Sequence, residues 1–290
     1  MPPALTSASS SSSSQFRAIA HDARKDEDNA AFVASLPPAE QAAWLERLRW
    51  LRLADRLAED EERYGNGRFT RFMEAWKALE RDGREMEGFE PAHREIRVRL
   101  GPEPHAMACW NTYLAALRDY SSPSLALETL ADHDRMLARI GSFFGVFPYL
   151  RETEREAAAR FGMLDQIMNN LRDIAEDAAH GISYFPRDVL ARFGVARDAI
   201  FDGSAVRAPG YHAMMRFWLD EHVAQVRVWA APFEAAREVH PSIALMRETS
   251  LARYERVERV FGACDFDYLV FPDAYWRVED GPRSRVGTRA

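Results

Sequence analysis

Asn169, Asp173 and Asp177 recur every four residues inside "QIMNNLRDIAEDAAHGISYFP", residues 166–186, where apolar side chains surround them. On a helix that spacing lines up one carboxamide and two carboxylates along a single face, a turn apart. Such a row of hard oxygen donors suits Mg²⁺, which typically takes one or two carboxylates and completes its shell with water and phosphate oxygens. A metal-bound diphosphate is the ligand this stripe predicts. The competing reading is a set of helix salt bridges with Arg172, since acids buried without partners are costly.

A second cluster lies in "RLADRLAEDEE", where Arg52, Asp55 and Glu59 share one helical face beside Leu53 and Leu57. Alone, such a run also reads as a solvated helix face. Two acidic helices facing each other across a bundle would clamp a diphosphate through bridging cations, with Arg52 and Arg172 as fixed positive charges on the departing group. An allylic cation left behind needs shelter from water, and 17 Phe, 7 Trp and 9 Tyr can supply aromatic faces for it. Trp110, Phe143, Phe144 and Trp218 are candidates to line or plug a cavity, although aromatics at helical spacing are more often simply core.

The elements that must carry these residues are helical. "SLPPAEQAAWLERLRWLRLADRLAEDEERYG" opens with prolines suited to a first turn, places Trp44, Leu45, Leu48, Leu51 and Leu57 at three-to-four spacing, and stops at Gly65. A shorter helix ends at Gly83, and further helical segments are expected near 105–120, 124–145, 151–180, 209–236 and 241–262. Strand signals are confined to the alternation of "EIRVRL" at 95–100 and the apolar "DYLVF". An all-α bundle converging side chains on a central cavity is the expected fold, as one domain over 16–275 between a serine-rich disordered tail, 1–15, and a flexible tail, 276–290.

Composition narrows the partners. The formal charge is −7 with arginines interspersed among the acids, so no basic stripe marks a nucleic-acid footprint. Two cysteines, Cys109 and Cys264, are too few for a disulfide framework. No apolar run is long enough to span a membrane. The expected setting is the cytoplasm.

The segment "NNLRDIAEDAAHGISYFPRDVLARFGV", 169–195, resembles the second aspartate-rich motif of the squalene and phytoene synthase family, whose usual form reads N-I-L-R-D-V-x-E-D-x-x-R-G-R-x-Y-L-P, then a short helix and F-G. Upstream, "FVASLPPAEQAAWLERLRWLRLADRLAEDE" resembles that family's first aspartate-rich helix, and "LETLADHDRMLARIGSFFGVF" the helix that usually reads Y-C-x-x-V-A-G-T-V-G. The similarity covers roughly residues 32 to 270. It implies an isoprenoid-synthase helical bundle, Mg²⁺ and a prenyl diphosphate substrate. Asn169, Asp173 and Asp177 would then be metal ligands, joined by Asp55 and Glu59 of the first motif, while Arg52, Gln166, Arg172 and Tyr184 would bind substrate.

Departures from the pattern redirect the chemistry. Asp55 is followed by Arg56 where the family has an aspartate pair, Glu59 replaces the last aspartate, and Asp132 aligns with the family's catalytic tyrosine. Those features serve head-to-head coupling, which ionises twice. The sequence reading therefore favours the branch of the family that ionises one short diphosphate, dimethylallyl diphosphate, and transfers the prenyl group to a small aromatic, carbazole-type acceptor. The base taking the ring proton would be Asp132, His133 or Asp134, in competition with the departing diphosphate. The rivals are head-to-head synthesis and a non-catalytic family member.

Overall fold

The computed structural model describes residues 32–277 apart from Glu87 and residues 121–124, so the tail expected at 1–15 lies outside the described residues, and of the tail expected at 276–290 only Trp276 and Arg277 are described, where they continue the last helix. The architecture is an all-α bundle, with no strand among the described residues. No described helix is long and apolar enough to cross a membrane.

Helix α1, Pro38–Tyr64, begins with proline in its first turn and ends where Gly65 turns left-handed at φ 60°. It buries Trp44, Leu51 and Leu57 and leaves the face of Arg52 and Asp55 half-exposed. Helix α2, Arg68–Asp82, stops the same way at Gly83, φ 67°. Both stops follow from glycine's lack of a Cβ penalty in that region.

Helix α3, Glu90–Leu100, contains the alternating "EIRVRL". Ile96 and Leu100, four apart, are buried while Val98 is 66% exposed, so the alternation is incidental and the helical period carries the packing. "DYLVF" likewise forms a turn and the start of a helix.

Helix α4, Pro104–Tyr120, packs against α1 and against α6, Arg155–Arg172, so it is the shared neighbour of both acid-bearing helices. Helix α5 starts later than its apolar pattern suggested, at Leu130–Gly141, because Thr129 and Asp132 close a reciprocal capping box there. It crosses α6 with no room for a side chain: a Cβ on Gly162 would stand 2.0 Å from the Gly141 carbonyl oxygen.

Short helices α7, Ile174–Ala179, α8, Arg187–Phe193, and α9, Arg197–Phe201, follow. The long segment at 209–236 divides into α10, Tyr211–Arg216, a π-helical turn, Phe217–His222, and α11, Val223–Glu234. Helix α12, Pro241–Ala263, and α13, Phe271–Arg277, complete the bundle, with α6 at its centre against α4, α5, α11 and α12.

Candidate active site

The Asn169–Asp173–Asp177 stripe spans a joint. Helix α6 ends at Arg172, Asp173 takes φ −98°, ψ 7°, and α7 resumes at Ile174. Across that joint the Asp173 N–H donates to the Asn169 carbonyl at 3.0 Å and the Asp177 N–H to the Asp173 carbonyl at 2.9 Å. The one-turn register predicted for the three side chains is therefore kept.

Their neighbours decide what each offers. Asp165, one turn before Asn169 and 3% exposed, accepts from Arg253, from the Tyr254 hydroxyl at 2.7 Å and from Asn169 Nδ2 at 3.0 Å. With its nitrogen donating to Asp165, Asn169 keeps its amide oxygen as the hard donor. Arg172 donates through Nε and Nη2 to the two oxygens of Asp173. Burial opposes the Arg172 charge, but Asp173 outweighs it and raises its pKa. A row of one carboxamide oxygen and two carboxylates fits a hard divalent cation such as Mg²⁺. Gln166 instead donates to Asn170 at 2.7 Å.

On α1, Arg52 Nη1 lies 3.3 Å from Asp55 Oδ2, while Glu59 is exposed. Beneath them stands Tyr113 of α4, 5% exposed. Burial first, then the charge of Asp55 set against Arg52, pushes its phenol well above the usual range, so Tyr113 stays protonated. Sequence reasoning missed this residue, whose only signal is its place on a buried face of α4. Phe143 contacts the Tyr113 ring at 5.8 Å, whereas Phe144 packs on Phe161 and Trp110 on Trp76 within the core.

Of the three residues considered as base, Asp132 points away from the interior. Its carboxylate accepts from the Thr129 N–H at 3.1 Å, the Thr129 hydroxyl at 2.9 Å and Arg135 at 2.8 Å, and these contacts hold it below the usual carboxylate range. The position aligned with the family's tyrosine thus serves a helix cap. His133 and Asp134 turn toward His222, a residue the sequence gave no reason to select. Burial lowers the His133 pKa. Asp134 is also penalised by burial, but the two imidazoles bring its carboxyl down to about 2.

A narrow crevice joins the end of the stripe to the first turn of α5, lined by His133, Asn170, Asp177, Tyr184, Phe185 and Trp218 among others. Tyr184 and Asp177, the last acid of the stripe, therefore share one cleft with Trp218 and the first turn of α5. It brings together residues that are 85 positions apart at the extremes, from His133 to Trp218.

The chain matches the squalene/phytoene synthase family over residues 23–263. Two curated relatives are the 15-cis-phytoene synthase of Synechococcus elongatus, 37% identical over 65 residues, 22% of this chain and 20% of that protein, and the chloroplastic phytoene synthase 1 of Zea mays, 42% identical over 52 residues, 18% of this chain and 13% of that one. These matches thus span a fifth or less of the relatives' own length. Among solved structures, a dehydrosqualene synthase in complex with ligand superposes with a TM-score of 0.69 at 16% identity, covering 92% of this chain and 96% of that one. The squalene synthase HpnC of Alicyclobacillus acidocaldarius superposes at 0.59, also at 16% identity, covering 81% and 99%. Both share the fold.

Proposed function

For a chain that belongs to the squalene/phytoene synthase family, we propose a prenyltransferase that joins two prenyl diphosphates head to head. The observation that carries this is the second motif: Asn169, Asp173 and Asp177 stay in register through the α6–α7 joint, with Arg172 locked onto Asp173. The curated relatives are phytoene synthases, which favours head-to-head coupling over transfer to another acceptor. They offer no support for an aromatic acceptor.

Asn169, Asp173 and Asp177 would hold Mg²⁺, with Asp55 and Glu59 as the first motif's ligands; when bound, the ion neutralises diphosphate oxygens. Arg172 and Arg52 bind the anion as its C–O bond breaks and the electron pair leaves with it. Tyr113, a buried protonated phenol beside the first motif, donates a hydrogen bond to a leaving oxygen. Tyr184, Phe185 and Trp218 exclude water from the carbocation. The double bond of the second prenyl diphosphate attacks that cation, and the departed diphosphate takes the proton released as a cyclopropane closes; the second diphosphate then leaves with its C–O electron pair, and loss of a further proton from the rearranged cation gives the hydrocarbon. Gln166 supports the site through Asn170. A reducing, cytoplasmic setting is part of this reading, supported by Cys109 and Cys264 being free cysteines.

One observation favours a second reading, in which a single dimethylallyl group passes to a carbazole-type acceptor: Arg56 follows Asp55 in place of an aspartate, and Glu59 is exposed. The two are separated by products formed from farnesyl or geranylgeranyl diphosphate alone and from dimethylallyl diphosphate with the aromatic compound.

A further inference from the structure

His133 and Asp134 in the first turn of α5, and His222 at the end of the π-helical turn, converge in the interior. One donor atom from each side chain lies within 4.8 Å of the other two. His133 and His222 are 2% and 4% exposed.

Their polar atoms are orphaned. Nδ1 of His133, Nε2 of His222 and Oδ1 of Asp134 are sealed from solvent, and none makes a hydrogen bond of proper geometry. His222 Nε2 is 3.1 Å from Asp134 Oδ1, close enough for a hydrogen bond but misaligned for one; His133 Nδ1 is 3.9 Å from the same oxygen. Buried polar groups are almost always satisfied, so three under-satisfied ligand atoms gathered within 4.8 Å point to an occupant. Ligands around a tetrahedral zinc at about 2.1 Å stand about 3.4 Å apart, so small side-chain rotations would close the observed cluster.

A second, independent feature is the backbone that delivers His222. Residues 217–222 form a π turn inside an otherwise α-helical segment. A π turn inserts one residue and rotates everything beyond it by about 100° relative to an α-helix, a rare distortion frequently found at functional positions. Trp218 walls the cluster, its ring 4.9 Å from both imidazoles. The two imidazoles are thus buried against an aromatic ring.

We propose that His133, Asp134 and His222 form a transition-metal site of the zinc class, separate from the oxygen-lined diphosphate site. Imidazole nitrogens select zinc-like ions over Mg²⁺, which takes oxygen ligands. Two imidazoles and one carboxylate leave a fourth position for water or a ligand. The metal would fasten the first turn of α5 to the π turn, and His133 would transmit that constraint to the crevice it lines with Asp177.

The test is equilibrium dialysis of the purified full chain against Zn²⁺ in excess Mg²⁺, read by elemental analysis, together with the visible spectrum of the Co²⁺-loaded protein. The proposal expects one zinc per chain, a four-coordinate cobalt spectrum, and a loss of affinity of at least tenfold in both His222→Gln and Asp134→Asn. Zinc binding in the Asp173→Asn, Asp177→Asn double variant should be unchanged. Should His222→Gln fail to fold, Asp134→Asn, at a half-exposed side chain, decides alone. Failure of the parent chain to bind zinc, equal binding by the cluster variants, or loss of zinc in the diphosphate-site variant would each overturn it. Activity plays no part in the readout, so the outcome stands apart from the head-to-head reading.

Discussion

Arg172 grips Asp173 in a two-point fork, Nε to Oδ1 at 2.9 Å and Nη2 to Oδ2 at 2.8 Å, with the two side chains only 9% and 17% exposed. A lysine can keep the charge at this place but cannot make the fork. Arg172→Lys should therefore lower diphosphate release about 10- to 100-fold, and Asp173→Asn by about 1000-fold or more, because it also removes a metal ligand. Steady-state diphosphate release over a range of Mg²⁺ concentrations measures both. Wild-type rates in Asp173→Asn would remove the residue from the site.

Where α5 crosses α6, the chain allows two glycines and nothing larger. A Cβ on Gly162 would meet the Gly141 carbonyl oxygen at 2.0 Å, and one on Gly141 would meet the Gly162 carbonyl carbon at 2.5 Å. Both contacts are with backbone, which cannot turn aside as a flexible side chain does. Gly162→Ala should cost about 3 kcal/mol or more and appear as a large fall in thermal midpoint or as insoluble protein. A midpoint within two degrees of the parent, by about 1 kcal/mol per 2–4 °C, would show that the helices separate easily.

Asp165 is the buried anchor between α6 and α12, with Arg253, Tyr254 and Asn169 all donating to it. Removing one partner of a buried ion pair typically costs about 3–5 kcal/mol. Asp165→Ala should show that loss in denaturant unfolding. It should also weaken Mg²⁺-dependent diphosphate binding, because the Asn169 amide is no longer held in orientation.

Glu234, near the end of α11, carries a buried Oε1 with no hydrogen-bond partner. Burial raises its pKa, against the opposing pull of Arg227 and Arg247. A carboxyl raised in the folded state favours folding when protonated, so its contribution is present below the unfolded value near pH 4.5 and is lost as pH rises through the folded one. Glu234→Gln should flatten that part of the stability profile and raise the thermal midpoint at pH 7. A lower midpoint at pH 7 would contradict the assignment.

Local chemistry was readable before the structure, and distant chemistry was not. Proline at the start of α1, Gly65 and Gly83 at helix ends and the four-residue spacing of Asn169, Asp173 and Asp177 each act within a turn or two, and each appears as expected. "EIRVRL" misled because alternation over six residues also fits a helix whose exposed Val98 happens to be apolar. Thr129 shortened α5 through a cap that its apolar pattern does not record. Arg253 and Tyr254 reach Asp165 across 88 and 89 positions, and no spacing rule spans that gap. His222 was invisible for another reason: its direction depends on a π turn, which shifts the helical phase without any glycine or proline to announce it.

The most direct measurement of the central claim is the product formed by the purified chain with Mg²⁺ and either farnesyl or geranylgeranyl diphosphate as sole substrate, read by mass spectrometry. Parallel reactions would contain dimethylallyl diphosphate and a hydroxylated carbazole. The account predicts a C30 or C40 hydrocarbon from the long diphosphate alone, lost in Asp173→Asn. A C5 adduct formed only with the aromatic compound, and no hydrocarbon from either long donor, would contradict it.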